Sequence, residues 1–125
     1  MPMPNTTLDE YQNAAVGLAV YPPGIGLIYC TIKQGGESGE FSEKVGKGLR
    51  NGQIRIIPGA GNQVYMSMDP ALRKPLALEL GDNLWYIAAL AKELGFTLEE
   101  IATMNLDKLN GRKERSTLVG EGDNR

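Results

Sequence analysis

The 125-residue sequence contains no histidine. Without an imidazole, Ser-His-Asp and Cys-His catalysis are excluded, no histidine holds zinc or iron, and no side chain has an unperturbed pKa near neutrality. A carboxylate oxidase of the ferritin type, which needs Glu-x-x-His pairs, is excluded as well. Cysteine is nearly absent. The single Cys30 cannot form an internal disulfide, which suits a reducing compartment, and its setting, Leu27-Ile-Tyr-Cys-Thr-Ile32, reads as a small buried apolar position. Basic excess is lacking too: 13 Lys and Arg against 15 Asp and Glu give −2, so no surplus charge holds a nucleic-acid polymer. No apolar run approaches membrane-spanning length, and the start lacks the basic and apolar blocks of a signal peptide. The expectation is a cytoplasmic chain with no membrane partner, built as one domain over residues 1–125. Any enzymatic chemistry must come from carboxylates, amines, hydroxyls and a bound ion.

What is present reads as helices. Residues 1–6 hold two prolines and are expected to fray. Thr7 and Glu10 have capping-box spacing, which predicts a first helix from Leu8 to Val20, stopped by Tyr21-Pro-Pro-Gly24. A second helix is expected over Ile25 to Leu49, although Gly35, Gly36, Gly39, Gly46 and Gly48 each cost about 1 kcal/mol against alanine there. Those glycines also permit close approach of another backbone or a ligand. Residues 50–68 pattern as two short strands around Pro58-Gly-Ala-Gly61, a hairpin or loop insertion. Asp69-Pro70 starts a third helix running to Leu94 and ending at Gly95, with Pro75 kinking it or marking its true start. Leu80, Leu84, Ile87, Ala91 and Leu94 form its expected buried stripe. Thr97 and Glu100 repeat the capping box, and the fourth helix should end near Asn110-Gly111, before a polar tail of ten residues. Four helices of this size bury little apolar surface alone, so a homodimer or homotetramer is expected.

Two carboxylate pairs stand out. Glu37 and Glu40 are three apart on the second helix, and Glu79 and Asp82 are three apart on the third, so each pair lies on one helix face. Antiparallel packing would bring all four across one groove, where like charges need a cation. Oxygen donors without His or Cys favour a hard ion, Mg²⁺ or Mn²⁺. Acid pairs at this spacing also occur on solvated faces, but Leu78, Leu80, Leu84 and Trp85 make an apolar neighbourhood for Glu79 and Asp82. Lys44 extends the first pair's face and Tyr86 the second, while Asn105, Lys108 and Arg112 step along the fourth helix. An amine, a phenol, an amide and a guanidinium around metal-bound carboxylates suit a polyphosphate; Lys113 and Arg115 read instead as complements of the helix dipole. Gly59-Ala-Gly61 lacks the Lys and Ser/Thr of a phosphate-binding loop and is a turn.

The run Gly36-Glu-Ser-Gly-Glu-Phe-Ser-Glu-Lys44, followed by Glu79-Leu-Gly-Asp-Asn-Leu-Trp-Tyr-Ile87, resembles the MazG-like nucleoside triphosphate pyrophosphohydrolases. The likeness continues through Glu93–Glu100, Asn105–Leu109, Arg112–Arg115 and the terminal Gly120–Arg125, with Tyr21-Pro22 fitting near the start. The resemblance implies an all-α fold assembled as a dimer or dimer of dimers, and hydrolysis of a (deoxy)nucleoside triphosphate to the monophosphate and pyrophosphate. It implies that Glu37, Glu40, Glu79 and Asp82 hold Mg²⁺ or Mn²⁺ and that Lys44, Tyr86, Asn105 and Lys108 contact phosphate. Short members occur in phages, some acting on guanine nucleotides, which makes dGTP or GTP the expected substrate and a host cytoplasm the expected location. Gly36 stands where many members carry another glutamate, and Asn83 where an apolar residue is usual. The alternative is a non-catalytic helical oligomer that binds metal or nucleotide as a regulator; a plain structural bundle is third.

Overall fold

In the computed structural model, which describes residues 5–116, the first helix opens on the expected capping box. Thr7 Oγ1 accepts from the Glu10 amide at 3.1 Å, and Glu10 Oε2 accepts from the Thr7 amide at 3.3 Å. Helix α1 spans Leu8–Val16 and stops four residues before the predicted end. Beyond it Leu18 and Ala19 donate to Ala15 and Val16, tightening the last turn. Leu18 and Val20 are exposed, so no buried face supports a longer helix there. The start of the expected frayed segment and most of the polar tail lie outside the described residues.

Helix α2, Gly26–Arg50, is continuous despite its glycines. A side chain at Gly35, Gly36, Gly39 or Gly46 would meet nothing within 4 Å, so within one chain these glycines serve no close approach. Gly48 does: a Cβ there would press on Ile54 and Leu72 side chains at 2.9–3.1 Å. The insertion is a hairpin. Strand β1, Ile54–Pro58, pairs antiparallel with β2, Val64–Met68, in the register Ile54–Met68, Ile56–Met66 and Pro58–Val64.

Asp69 caps a 3-10 turn at Pro70–Leu72, accepting from the Ala71 amide at 2.9 Å. Helix α3 then covers Arg73–Glu93. Pro75 falls in its first turn, where a backbone N–H has no helical partner anyway, so it marks the start and no kink. Gly95, with φ +82°, reverses the chain into α4, Leu98–Glu114, which runs past the predicted stop at Gly111. Gly111 keeps a helical backbone, and the left-handed residue that follows the helix is Ser116, φ +57°.

Helix α1 ties the far end of the bundle together. Gln12 is buried, donating to Ala88 O and Phe96 O at 3.1 Å each and accepting from Leu98 N at 3.0 Å. Asp9 Oδ1 accepts from Glu99 N at 3.0 Å, and Thr97 Oγ1 from Glu100 N at 3.1 Å. Three free amides at the start of α4 are thereby satisfied, two of them by α1. The core between these helices is small: Ala88, Ala91 and Leu98, with Tyr11, Leu84 and Ile101 packed against it. Of the predicted stripe, Ala91 is buried and Leu84 joins the core, but Leu80, Ile87 and Leu94 are exposed. Alanines carry the contact because small side chains let the helices close on one another, leaving the larger residues outside.

Candidate active site

Helices α2 and α3 form the most extensive pair, and they run antiparallel. Gly26 lies against Glu93, Gln34 against Asn83, Lys44 against Glu79 and Gly48 against Leu72. This direction puts both carboxylate pairs in one groove. Ligand oxygens of Glu37, Glu40 and Glu79 come within 4.8 Å of one another. Asp82 falls outside that trio, yet it lines the adjoining cavity beside Glu37, and its charge helps raise the Glu37 pKa.

Electrostatic tension at the trio is plain. Glu79 is buried, and its Oε2, like Oε2 of Glu37, is a buried oxygen without a hydrogen-bond partner. Glu79 Oε1 is held by Lys44 Nζ at 2.8 Å, and this contact raises the Lys44 pKa above the ordinary lysine value. Burial raises the Glu37 pKa first, followed by the charges of Glu40, Asp82 and Glu79. Two unpartnered carboxylate oxygens in an all-oxygen donor set fit a hard divalent cation, which would supply the missing partner. Asn83 also finds its reason here: its Nδ2 donates to Glu79 O at 2.9 Å and its Oδ1 accepts from Gln34 Nε2 at 3.3 Å, so a polar residue bridges the two helices beside the acids.

Next to the trio opens a cavity of ≈ 240 Å³ walled by Tyr21, Tyr29, Trp85, Tyr86, Leu18 and Val20, with Glu37 and Asp82 at its polar side. The rings brace one another: Tyr21 lies 5.1 Å from Tyr29, and Trp85 lies 4.9 Å from Tyr86 in an edge-to-face arrangement. Trp85 is fixed by its indole N–H donating to Ala15 O at 3.0 Å. Burial, with Cys30 and Glu93 nearby, pushes the Tyr21 phenol to about 12, so it stays protonated. Of the aromatic wall only Tyr86 was singled out from the sequence. Spacing held a signal for two more, since Trp85 follows Asp82 by three and Tyr29 precedes Glu37 by eight, both spacings that keep residues on one broad helix face. Tyr21 comes from the α1–α2 connection, where no periodicity applies.

The predicted phosphate contacts divide. Lys44 and Tyr86 stand at the trio and the cavity. Asn105 and Lys108 border a separate hollow of ≈ 270 Å³ with Ile101 and Met104, and none of the four carboxylates lines it. One chain does not bring them to the site. Cys30 is fully buried, as its apolar setting foretold.

An all-α subunit whose antiparallel helix pair gathers oxygen ligands beside an aromatic cavity has the features of a metal-dependent nucleotide hydrolase. The model of the MazG nucleotide pyrophosphohydrolase domain matches residues 33–117, a span that contains all four carboxylates. The chain belongs to the MazG nucleotide pyrophosphohydrolase family, whose members use divalent metal ions. It is also 39% identical over 124 residues to the Gene 37 protein of Mycobacterium phage L5, covering 94% of this chain and 98% of that one. No solved structure matches. Among the described residues, no helix is long and apolar enough to cross a membrane.

Proposed function

We propose that this chain hydrolyses a (deoxy)nucleoside triphosphate to the monophosphate and pyrophosphate, with guanine nucleotides as the first substrates to test. The observation that carries the reading is Glu37, which belongs both to the carboxylate trio and to the wall of the aromatic cavity. A pocket walled by aromatic rings suits a nucleobase, and its volume of ≈ 240 Å³ takes a base while leaving the phosphates to extend over the acids.

Glu37, Glu40 and Glu79, with Asp82 beside them, would hold Mg²⁺, with Mn²⁺ as a substitute. Such an ion screens the phosphate charge, polarises the phosphoryl group and lowers the pKa of a bound water. The side chains do the rest. Tyr21, Tyr29 and Trp85 orient the base, and the apolar Leu18 and Val20 exclude water from its face. Lys44 neutralises Glu79 and presents its remaining N–H donors towards the phosphate side, and the Tyr86 phenol donates at the cavity mouth. Asn105 and Lys108 serve the phosphates only if a second copy of the chain carries them to the groove, consistent with the proposed homodimer or homotetramer. For a phage-type member the working location is the host cytoplasm.

Product analysis tests this. The protein is incubated with each dNTP and NTP plus Mg²⁺, and the products are separated. Monophosphate with pyrophosphate is expected; diphosphate with orthophosphate, or no turnover of any nucleotide, would overturn the reading. Tight binding without products would select the regulatory alternative. Glu40→Gln and Asp82→Asn should each lower turnover at least about 100-fold while far-ultraviolet circular dichroism stays helical.

A further inference from the structure

The hairpin has one wholly apolar face. Directly paired residues share a face, so Ile54, Met68, Ile56, Met66, Pro58 and Val64 all point the same way, while Arg55, Ser67, Ile57 and Tyr65 form the other side. The face is covered only at its root. Ile54 is buried against Leu72 and the backbone of Gly48, and Met68 is half-buried; outward from there Ile56, Val64 and Met66 are 67, 68 and 65% exposed. β1 touches the helical body through α2, and β2 is held chiefly by β1. An isolated two-stranded hairpin is marginal in water, and an exposed apolar strip on the order of 400 Å² matches the largest patch on a typical monomer, which is often functional.

The surface of the whole chain says what covers it. The chain exposes 9314 Å². Even with the 13 residues outside the described range counted at unfolded accessibility, the remainder exceeds a compact monomer of its size by about 1,100 Å². A stable interface buries about 800 Å² per partner. A partner present whenever the chain is would cover an excess of this size, and another copy of the chain meets that condition. The apolar face carries no charge, so two such faces meet about a two-fold axis without repulsion.

We infer that the hairpin is an assembly arm whose apolar face packs on the same face of a second copy. The inference is independent of the catalytic reading. The mass of the full chain in solution tests it, with light scattering after size exclusion as the readout. Ile56→Glu and, separately, Met66→Lys should each lower the particle mass to the next smaller assembly or weaken association at least 100-fold, with helicity retained. Ile57→Lys, on the opposite face, should leave the mass unchanged. Mixing the Glu and Lys variants should restore assembly, because face meets face. A wild-type monomer, an unchanged mass in both apolar-face variants, or no recovery on mixing would overturn the arm. Loss of nucleotide turnover with intact assembly would bear only on the catalytic reading.

Discussion

Glu37 is held in a place that folding alone does not favour. Burial and three neighbouring acids disfavour its charge, so its folded pKa lies above the ordinary 4.5. The sign follows from linkage: where the folded state binds the proton more tightly, stability is full below the ordinary value and is lost as pH rises through the raised one. Without a divalent ion, then, Glu37 weakens the fold at neutral pH. Glu37→Gln should raise the melting temperature in EDTA at pH 7 by roughly 2–5 °C, and the gain should vanish near pH 4. Added Mg²⁺ should stabilise wild type and leave the variant nearly unmoved. A variant that melts lower than wild type in EDTA at pH 7 would contradict the electrostatic account. The acids themselves were legible because spacing on a helix fixes a face. The Lys44–Glu79 contact was not, since it depends on how far α2 and α3 slide past each other.

Helix starts were readable for a local reason: Thr7 with Glu10 and Thr97 with Glu100 are three residues apart, and both boxes form. Helix ends were less so. Leu18–Val20 is not helical although its pattern allows it, because tertiary support is missing, and α4 continues through Gly111 because glycine permits a left-handed turn without requiring one. The joint between elements was invisible, for Gln12 bonds to residues 76, 84 and 86 positions away. Its side chain fills one backbone valence within α3, at Ala88, and two at the α3–α4 turn, at Phe96 and Leu98. Gln12→Leu keeps the volume and removes all three bonds, leaving the Leu98 amide buried without an acceptor. The expected loss is about 2–3 kcal/mol, read as a lower urea midpoint at fixed protein concentration. A change below about 0.5 kcal/mol would mean that α4 keeps its start without α1.

At the scale of the molecule, the disagreement over the α3 stripe becomes informative. Periodicity correctly marks Leu80, Ile87 and Leu94 as an apolar series, yet one chain leaves them 55, 40 and 59% exposed. Residues on α2, α4 and the hairpin repeat the pattern, among them Ile28, Ile32, Leu106 and Met66. Among the described residues, fully buried side chains are confined to Cys30 and two alanines, Ala88 and Ala89, a small core for four helices and a hairpin. The proposed assembly would place much of the hydrophobic stabilisation between copies and link folding to association. For such a chain the melting temperature depends on concentration. A 100-fold dilution, from roughly 100 μM to 1 μM, removes about 2.7 kcal/mol of mass-action stabilisation per dimer and should lower the melting midpoint by several degrees. Differential scanning fluorimetry in EDTA isolates this from metal binding. A midpoint independent of concentration would show that one chain is stable with its apolar series in water, and the small core would then have to suffice.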